Sequence, residues 1–212
     1  LMHAFADSIP AANWLRERVT GRLCADSRRL SPGDGFLAWP GERFDARSHL
    51  PQAWQRGARA VLVEHQGLVV DGDDDRVASF HSLKRHSGAI ASAFYGEPSH
   101  HLLVLAVTGT NGKTSTAWWL AQALGELPGK PFRTCALIGT LGSGYLPQLQ
   151  DAGLTTPDAV DLQNALAGFV RDGAGACAME ASSVGLEEHR LEGTRIHTAI
   201  FTNLTQIGRA HV

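Results

Sequence analysis

Apolar residues along the chain gather in short runs bounded by glycine, proline and charged residues. Residues 35–39 and 58–64 are two such runs, and each predicts a buried strand. A helix-like segment at 50–56 precedes the second. Residues 82–94 have helical spacing, with Leu83, Ile90 and Phe94 on the inward side, and Gly96-Glu-Pro98 stops them. From residue 100 the alternation is cleaner. Residues 102–108 predict a strand, then comes a glycine-containing turn, then a helix over 114–124. Further strands are expected over 134–138, 175–179 and 197–201. Asp158 is placed to cap a helix running to about Arg171, with Val160, Leu162, Leu166, Phe169 and Val170 apolar. Strands alternating with helices build parallel βαβ units with helices on both sheet faces. The expected fold is therefore α/β. A small mixed α/β domain covers residues 1–98, and an incomplete P-loop-type parallel α/β domain covers 99–205, with the boundary near 96–101.

Composition narrows the class. The 212 residues carry 19 Lys+Arg against 21 Asp+Glu, a net charge of −2 that argues against a general nucleic-acid binder. At 43% hydrophobic and 19% charged the chain is suited to a packed core, not to disorder. No apolar run approaches the ~20 residues of a membrane span. The N-terminus lacks the features of a signal peptide. Cys24, Cys135 and Cys177 are odd in number and widely spaced, which suits a reducing cytoplasm better than a disulfide framework or a metal site. The acidic run at 71–75 reads as a solvated loop, because Arg76 and Val77 do not supply the oxygen ligands of a metal loop.

The sharpest chemical feature is Val107-Thr-Gly-Thr-Asn-Gly-Lys-Thr-Ser115, set between an apolar strand and a helix. Gly109 and Gly112 allow a tight turn that aims N–H groups into one concavity, and the helix start adds its positive dipole end. Gly109, Thr110, Asn111, Gly112, Lys113, Thr114 and Ser115 are the candidate ATP-binding residues. Lys113 can reach the outer phosphates, and the Thr114 hydroxyl can ligate Mg²⁺. Val107 stands where the general pattern has glycine. Glu180 ends a strand at the edge that faces the ligand crevice of an open α/β sheet, where a carboxylate can hold Mg²⁺ opposite the loop hydroxyl. Thr155-Thr-Pro-Asp158 is a turn into a helix, and Asp26-Ser-Arg-Arg-Leu-Ser-Pro-Gly-Asp34 is strong turn chemistry. His100 and His101 read as solvated loop residues, and Cys24 as a buried structural thiol. Of the adjacent Trp118 and Trp119, one is expected on the sheet and the other elsewhere.

Gly109-Thr-Asn-Gly-Lys-Thr114 resembles the nucleotide loop of the Mur ligase family of peptidoglycan synthesis. Met179-Glu-Ala-Ser-Ser-Val-Gly-Leu186, Leu154-Thr-Thr-Pro157, Asp26-Ser-Arg28 and Phe201-Thr-Asn-Leu-Thr205 resemble segments of the branch that adds the third amino acid of the stem peptide. The resemblance implies an ATP-dependent, cytoplasmic amide ligase with ATP and Mg²⁺. Its substrates would be UDP-MurNAc-L-Ala-D-Glu and a diamino acid, with meso-diaminopimelate the expected one. The reaction would pass through an acyl phosphate, in a monomer with no nucleic acid or membrane partner. Lys113 and Glu180 then carry catalytic roles, and Thr114 and Glu180 hold the metal. Ser27, Thr155, Thr156, Ser182 and Arg190 contact substrate, with Arg43 and Phe44 near the nucleotide sugar. Leu154 and Val184 replace residues common in the family, and the role of Glu188, where some members have Gln, stays open. A stand-alone nucleotide or UDP-sugar binding module, or another Mur or folylpolyglutamate-type ligase, are the alternatives. Family members continue beyond Thr205 with Asp-His-Leu-Asp-Tyr-His and a carbamylated lysine. Residues 206–212 are therefore expected to be a foreign tail on an inactive fragment.

Overall fold

A computed structural model describes residues 3–41, 44–67, 74–127, 134–151 and 153–205. Arg43, residues 71–73 of the acidic run and the 206–212 tail lie outside the described residues. The chain forms two compact units. One comprises Leu1–Pro98, Asp158–Ala167 and Glu188–Thr194, the other Ser99–Pro157, Gly168–Glu187 and Arg195–Val212.

The first unit is built on a five-stranded sheet. Its order is β1 (His3–Phe5), β5 (Val77–Phe80), β4 (Ala60–Glu64), β3 (Gly35–Ala38) and β2 (Leu23–Cys24), with every neighbouring pair parallel. The side-chain period of two explains why the apolar runs are unbroken. Leu37, Ala60, Leu62, Ala78 and Phe80 face a core shared with α1 (Ser8–Arg16) and α3 (Leu83–Phe94). Phe36, Ala38, Val61, Val63 and Val77 face the opposite one, with Ala53 of α2 (Leu50–Gln55). Leu83 and Ile90 are fully buried, and Phe94 packs partly against the first core. Helix α1 has no counterpart in the sequence reading. It is short, and Pro10 stands in its first turn, where a missing N–H costs nothing. Asp7 caps it by accepting from the Ile9 N–H.

The second unit holds a six-stranded sheet. Its order is β11 (Thr198–Phe201), β6 (Leu103–Thr108), β10 (Ala176–Glu180), β7 (Cys135–Gly139), β8 (Gly142–Tyr145) and β9 (Gln148–Gln150). The first four strands are parallel, whereas β7–β8 and β8–β9 are antiparallel. The expected parallel strands are present, and an antiparallel hairpin that the sequence did not reveal extends the sheet. The hairpin was invisible because Gly142 and Gly144, both at positive φ, interrupt any apolar alternation. Helix α4 (Lys113–Glu126) packs Ala117, Ala121 and Trp118 on Val107, Leu137, Ala176 and Ala178, while Trp119 is 66% exposed. Helix α5 (Ala159–Arg171) begins in the first unit, where Val160 joins the core. The Asp158 carboxylate caps it, accepting from the Val160 and Asp161 N–H groups at 3.0 Å each. Leu162, Leu166 and Phe169 are buried as expected, and Val170 is half-buried. A short helix, α6 (Ser183–Glu187), follows β10. Among the described residues no helix is long and apolar enough to cross a membrane.

Candidate functional site

Strand β6 delivers Val107 and Thr108 to the sheet's C-terminal edge, and the chain then turns through Gly109 (φ +131°) to Gly112 (φ +80°). Both angles lie in the region that favours glycine. Helix α4 starts directly afterwards at Lys113, so the loop amides sit at a helix N-terminus. The Lys113 ammonium folds back over the loop, donating to the Gly109 carbonyl at 2.8 Å and the Thr110 carbonyl at 3.3 Å. Asn111, Gly112 and Ser115 are exposed around it.

Glu180 ends β10, in register with Val107 on β6. Its side chain is buried, at 2% exposure. Oε2 accepts from the Thr114 hydroxyl at 2.9 Å, and Oε1 accepts from the Thr140 N–H at 2.7 Å. Among the described residues no Lys, Arg or His forms an ion pair with this carboxylate. A buried carboxylate lacking a cation is costly. A divalent ion at Thr114 and Glu180 would remove that cost. The donors are hard oxygens, and Mg²⁺ commonly rests on one or two carboxylates completed by substrate phosphates. Among the described residues no three His, Cys, Asp or Glu converge, so such an ion would depend on that completion.

The two threonines before Pro157 reach the same strand end. Thr156 is fully buried, and its hydroxyl donates to the Glu180 carbonyl at 2.9 Å and accepts from the Ser182 N–H at 3.0 Å. Ser182 Oγ accepts from the Gly185 N–H at 3.0 Å, inside α6. The Thr155 hydroxyl lies 3.0 Å from that of Thr140, which is itself 3.4 Å from Glu180 Oε2. Thr140 was missed by the sequence reading. It carries no motif of its own, and only the folded strand order brings it between Thr155 and Glu180. The structure therefore gathers Thr114, Thr140, Thr155, Thr156, Glu180 and Ser182.

Ser27 and Arg190 belong to the first unit. Ser27 opens a 3₁₀ turn capped by Asp26, and its hydroxyl donates to Gln52 Oε1 at 2.9 Å. The Arg28 guanidinium holds the Asp26 carboxyl below the usual range. A cavity of roughly 490 Å³ opens here, lined by Ser27, Arg28, Phe36, Phe44, His49 and Gln52 among others. A second cavity, roughly 460 Å³, is lined by Trp39, Phe44, Lys84, Asp158, Glu188 and Arg190 among others. Glu188 pairs with Lys84 at 2.5 Å, which holds its carboxyl below the usual range. Burial, and after it the neighbouring Asp161, push the Asp158 carboxyl up to about 6. His100 and His101 are exposed, and the Cys24 thiol is buried.

Residues 107–211 match the Mur ligase middle domain. Over 211 residues the chain is 54% identical to the UDP-N-acetylmuramoyl-L-alanyl-D-glutamate–2,6-diaminopimelate ligase of Acidovorax sp. strain JS42, covering 97% of this chain and 42% of that protein. The protein of the same name from Ralstonia nicotianae is 45% identical over 205 residues, covering 93% and 39%. A solved structure of a ligase with that name superposes with a TM-score of 0.70 at 31% identity, covering 90% of this chain and 38% of the other. The chain spans about two fifths of the length of these relatives. Its phosphate loop and the acid at the end of β10 fall within the matched region, and residues 107–211 belong to the Mur ligase middle-domain family.

Proposed function

We propose that this chain supplies the nucleotide site and the UDP-sugar end of a MurE-type ligase. The whole protein would join a diamino acid, meso-diaminopimelate, to the D-glutamyl carboxylate of UDP-MurNAc-L-Ala-D-Glu at the expense of ATP. The observation that carries this reading is the approach of the Thr114 hydroxyl to the buried Glu180 carboxylate beside the phosphate loop. The middle-domain match and the relatives' names support it.

In this reading the substrate carboxylate attacks the γ-phosphate of ATP, giving an acyl phosphate and ADP. The incoming amine then displaces phosphate and forms the amide. Both early reactants are anionic, so positioning and charge neutralisation dominate. Lys113 and the loop N–H groups cradle the phosphates. Thr114 and Glu180 would hold Mg²⁺, which would offset charge on the transferred phosphoryl group. Thr155, Thr156 and Ser182 receive the peptide end of the substrate, with Arg190 on its muramoyl-peptide part. Ser27 and the cavity around it take the uridine diphosphate. The work is cytoplasmic and the protein acts as a monomer. The 212 residues carry the nucleotide-binding part of that work.

The test is titration of the chain with ATP and Mg²⁺ in a calorimeter. Saturable binding is expected, and Lys113→Ala should weaken it about tenfold or more through lost charge-assisted hydrogen bonds. Equal affinity in the Lys113→Ala chain, or no binding to the parent chain, overturns the reading.

A further inference from the structure

Beyond β11 the chain runs back along the nucleotide loop as a strap, residues 202–205. The Thr202 N–H donates to the Thr108 carbonyl at 3.0 Å. The Thr202 hydroxyl donates to the Asn111 carbonyl at 2.7 Å, and Asn203 Nδ2 donates to the same oxygen at 3.1 Å. The Asn203 carbonyl accepts from the Thr110 N–H at 2.9 Å, and Asn203 Oδ1 accepts from the Asn111 N–H at 3.2 Å. The Thr205 N–H donates to Thr110 Oγ1 at 3.1 Å.

The loop and the strap are built for each other. A Cβ on Gly109 would lie 2.1 Å from Thr202 Oγ1 and 3.0 Å from the Asn203 nitrogen. Glycine is thus required there both by its φ of +131° and by the strap passing alongside. The consequence for the loop follows from peptide geometry. A trans peptide is planar, with its C=O and N–H pointing opposite ways. Two donors hold the Asn111 carbonyl toward the strap. The N–H of the next residue, Gly112, is therefore turned away from the strap. Among the described residues it has no acceptor. It stands at the start of α4, where unsatisfied donors attract an anion.

We propose that Thr202 and Asn203 are positioning residues for the nucleotide loop. By fixing the Asn111 carbonyl they hold the Gly112 N–H toward the phosphates of the bound nucleotide. This rests on the ATP reading above and assigns a role to a segment outside the loop Gly109–Ser115. Because the donors are preset, phosphate binding does not have to order the Asn111–Gly112 peptide. Loss of either side chain removes one of the two donors to the Asn111 carbonyl, loosens that peptide and lowers affinity.

The experiment is calorimetric titration of the 212-residue chain and its variants with ATP and Mg²⁺. Thr202→Val keeps the shape and removes the donor, Thr202→Ser keeps the donor, and Asn203→Ala removes the second donor. Thr202→Val and Asn203→Ala should each weaken binding about five- to tenfold, the scale of one hydrogen bond, with Thr202→Ser within about twofold of the parent. Thermal melts establish that each variant is folded. If the parent chain binds no ATP, the nucleotide reading falls and the proposal with it. If the parent binds and Thr202→Val binds equally well, the proposal alone is overturned. Thr202→Ser as weak as Thr202→Val also overturns it, because the hydroxyl is then not the agent. Should Thr202→Val fail to fold, Asn203→Ala decides, and unchanged affinity there overturns the proposal.

Discussion

Gly139→Ala tests whether the position of the Glu180 carboxylate is set by the neighbouring strand. Gly139 closes β7 without a positive φ, so alanine meets no backbone objection there. The obstacle is a side chain. The new Cβ would sit 2.3 Å from Glu180 Oε1, 3.0 Å from its Cδ and 3.1 Å from its Cγ. Glu180 is buried and must swing away, giving up the Thr140 N–H at 2.7 Å and the Thr114 hydroxyl at 2.9 Å. Hydrogen bonds to a charged group are worth about 1.5–3 kcal/mol each. Alanine regains about 0.5–1 kcal/mol of backbone entropy over glycine. The net cost is about 2–5 kcal/mol. For a chain of this size that lowers the melting midpoint by roughly 4–20 °C. Gly168→Ala is the control, since its Cβ meets only the Arg171 guanidinium at 3.8 Å within α5 and should stabilise slightly. The assays are thermal unfolding followed by circular dichroism and titration with ATP and Mg²⁺. A Gly139→Ala chain that melts within about 2 °C of the parent and binds ATP as tightly would refute the reasoning.

Two further outcomes follow from burial. The Asp158 carboxyl is raised from 3.8 to about 6, so the folded chain holds its proton more tightly than the unfolded chain does. This contribution favours folding below pH 4, is lost as pH rises toward 6 and is then constant, an effect of about 3 kcal/mol. Asparagine caps a helix as well as aspartate does. Asp158→Asn should therefore melt higher than the parent at pH 7.5, with the gap closing by pH 4. A gap independent of pH would show that burial does not perturb this group. The three cysteines are buried, and burial also pushes the Cys24 and Cys177 thiols up. The native chain should react negligibly with a disulfide reagent, and three thiols should titrate in denaturant. Rapid reaction without denaturant would contradict the described packing.

Much of the architecture is written in local pattern. The runs at 35–39, 58–64 and 102–108 could be read because strands buried on both faces are continuously apolar. The phosphate loop could be read because its glycines, lysine and threonine are contiguous and flanked by a strand and a helix. The glycine-interrupted β8–β9 hairpin and the proline-bearing α1 gave no such signal, since neither has the periodicity by which elements are recognised.

By itself, the sequence determined the strands and helices with a clear apolar period, the loop that suits phosphate and the candidate acid Glu180. Only the tertiary structure decided which side chains meet. Glu180 finds Thr114 across 66 residues, and Asn111 finds Thr202 across 91. It also joined Asp158–Ala167 and Glu188–Thr194 to the first unit, a grouping with no compositional mark. The physical reason is the same in each case. Periodicity and turn chemistry are set within a few residues, whereas a site at the end of a parallel sheet is assembled by strand order, which joins residues far apart in the chain.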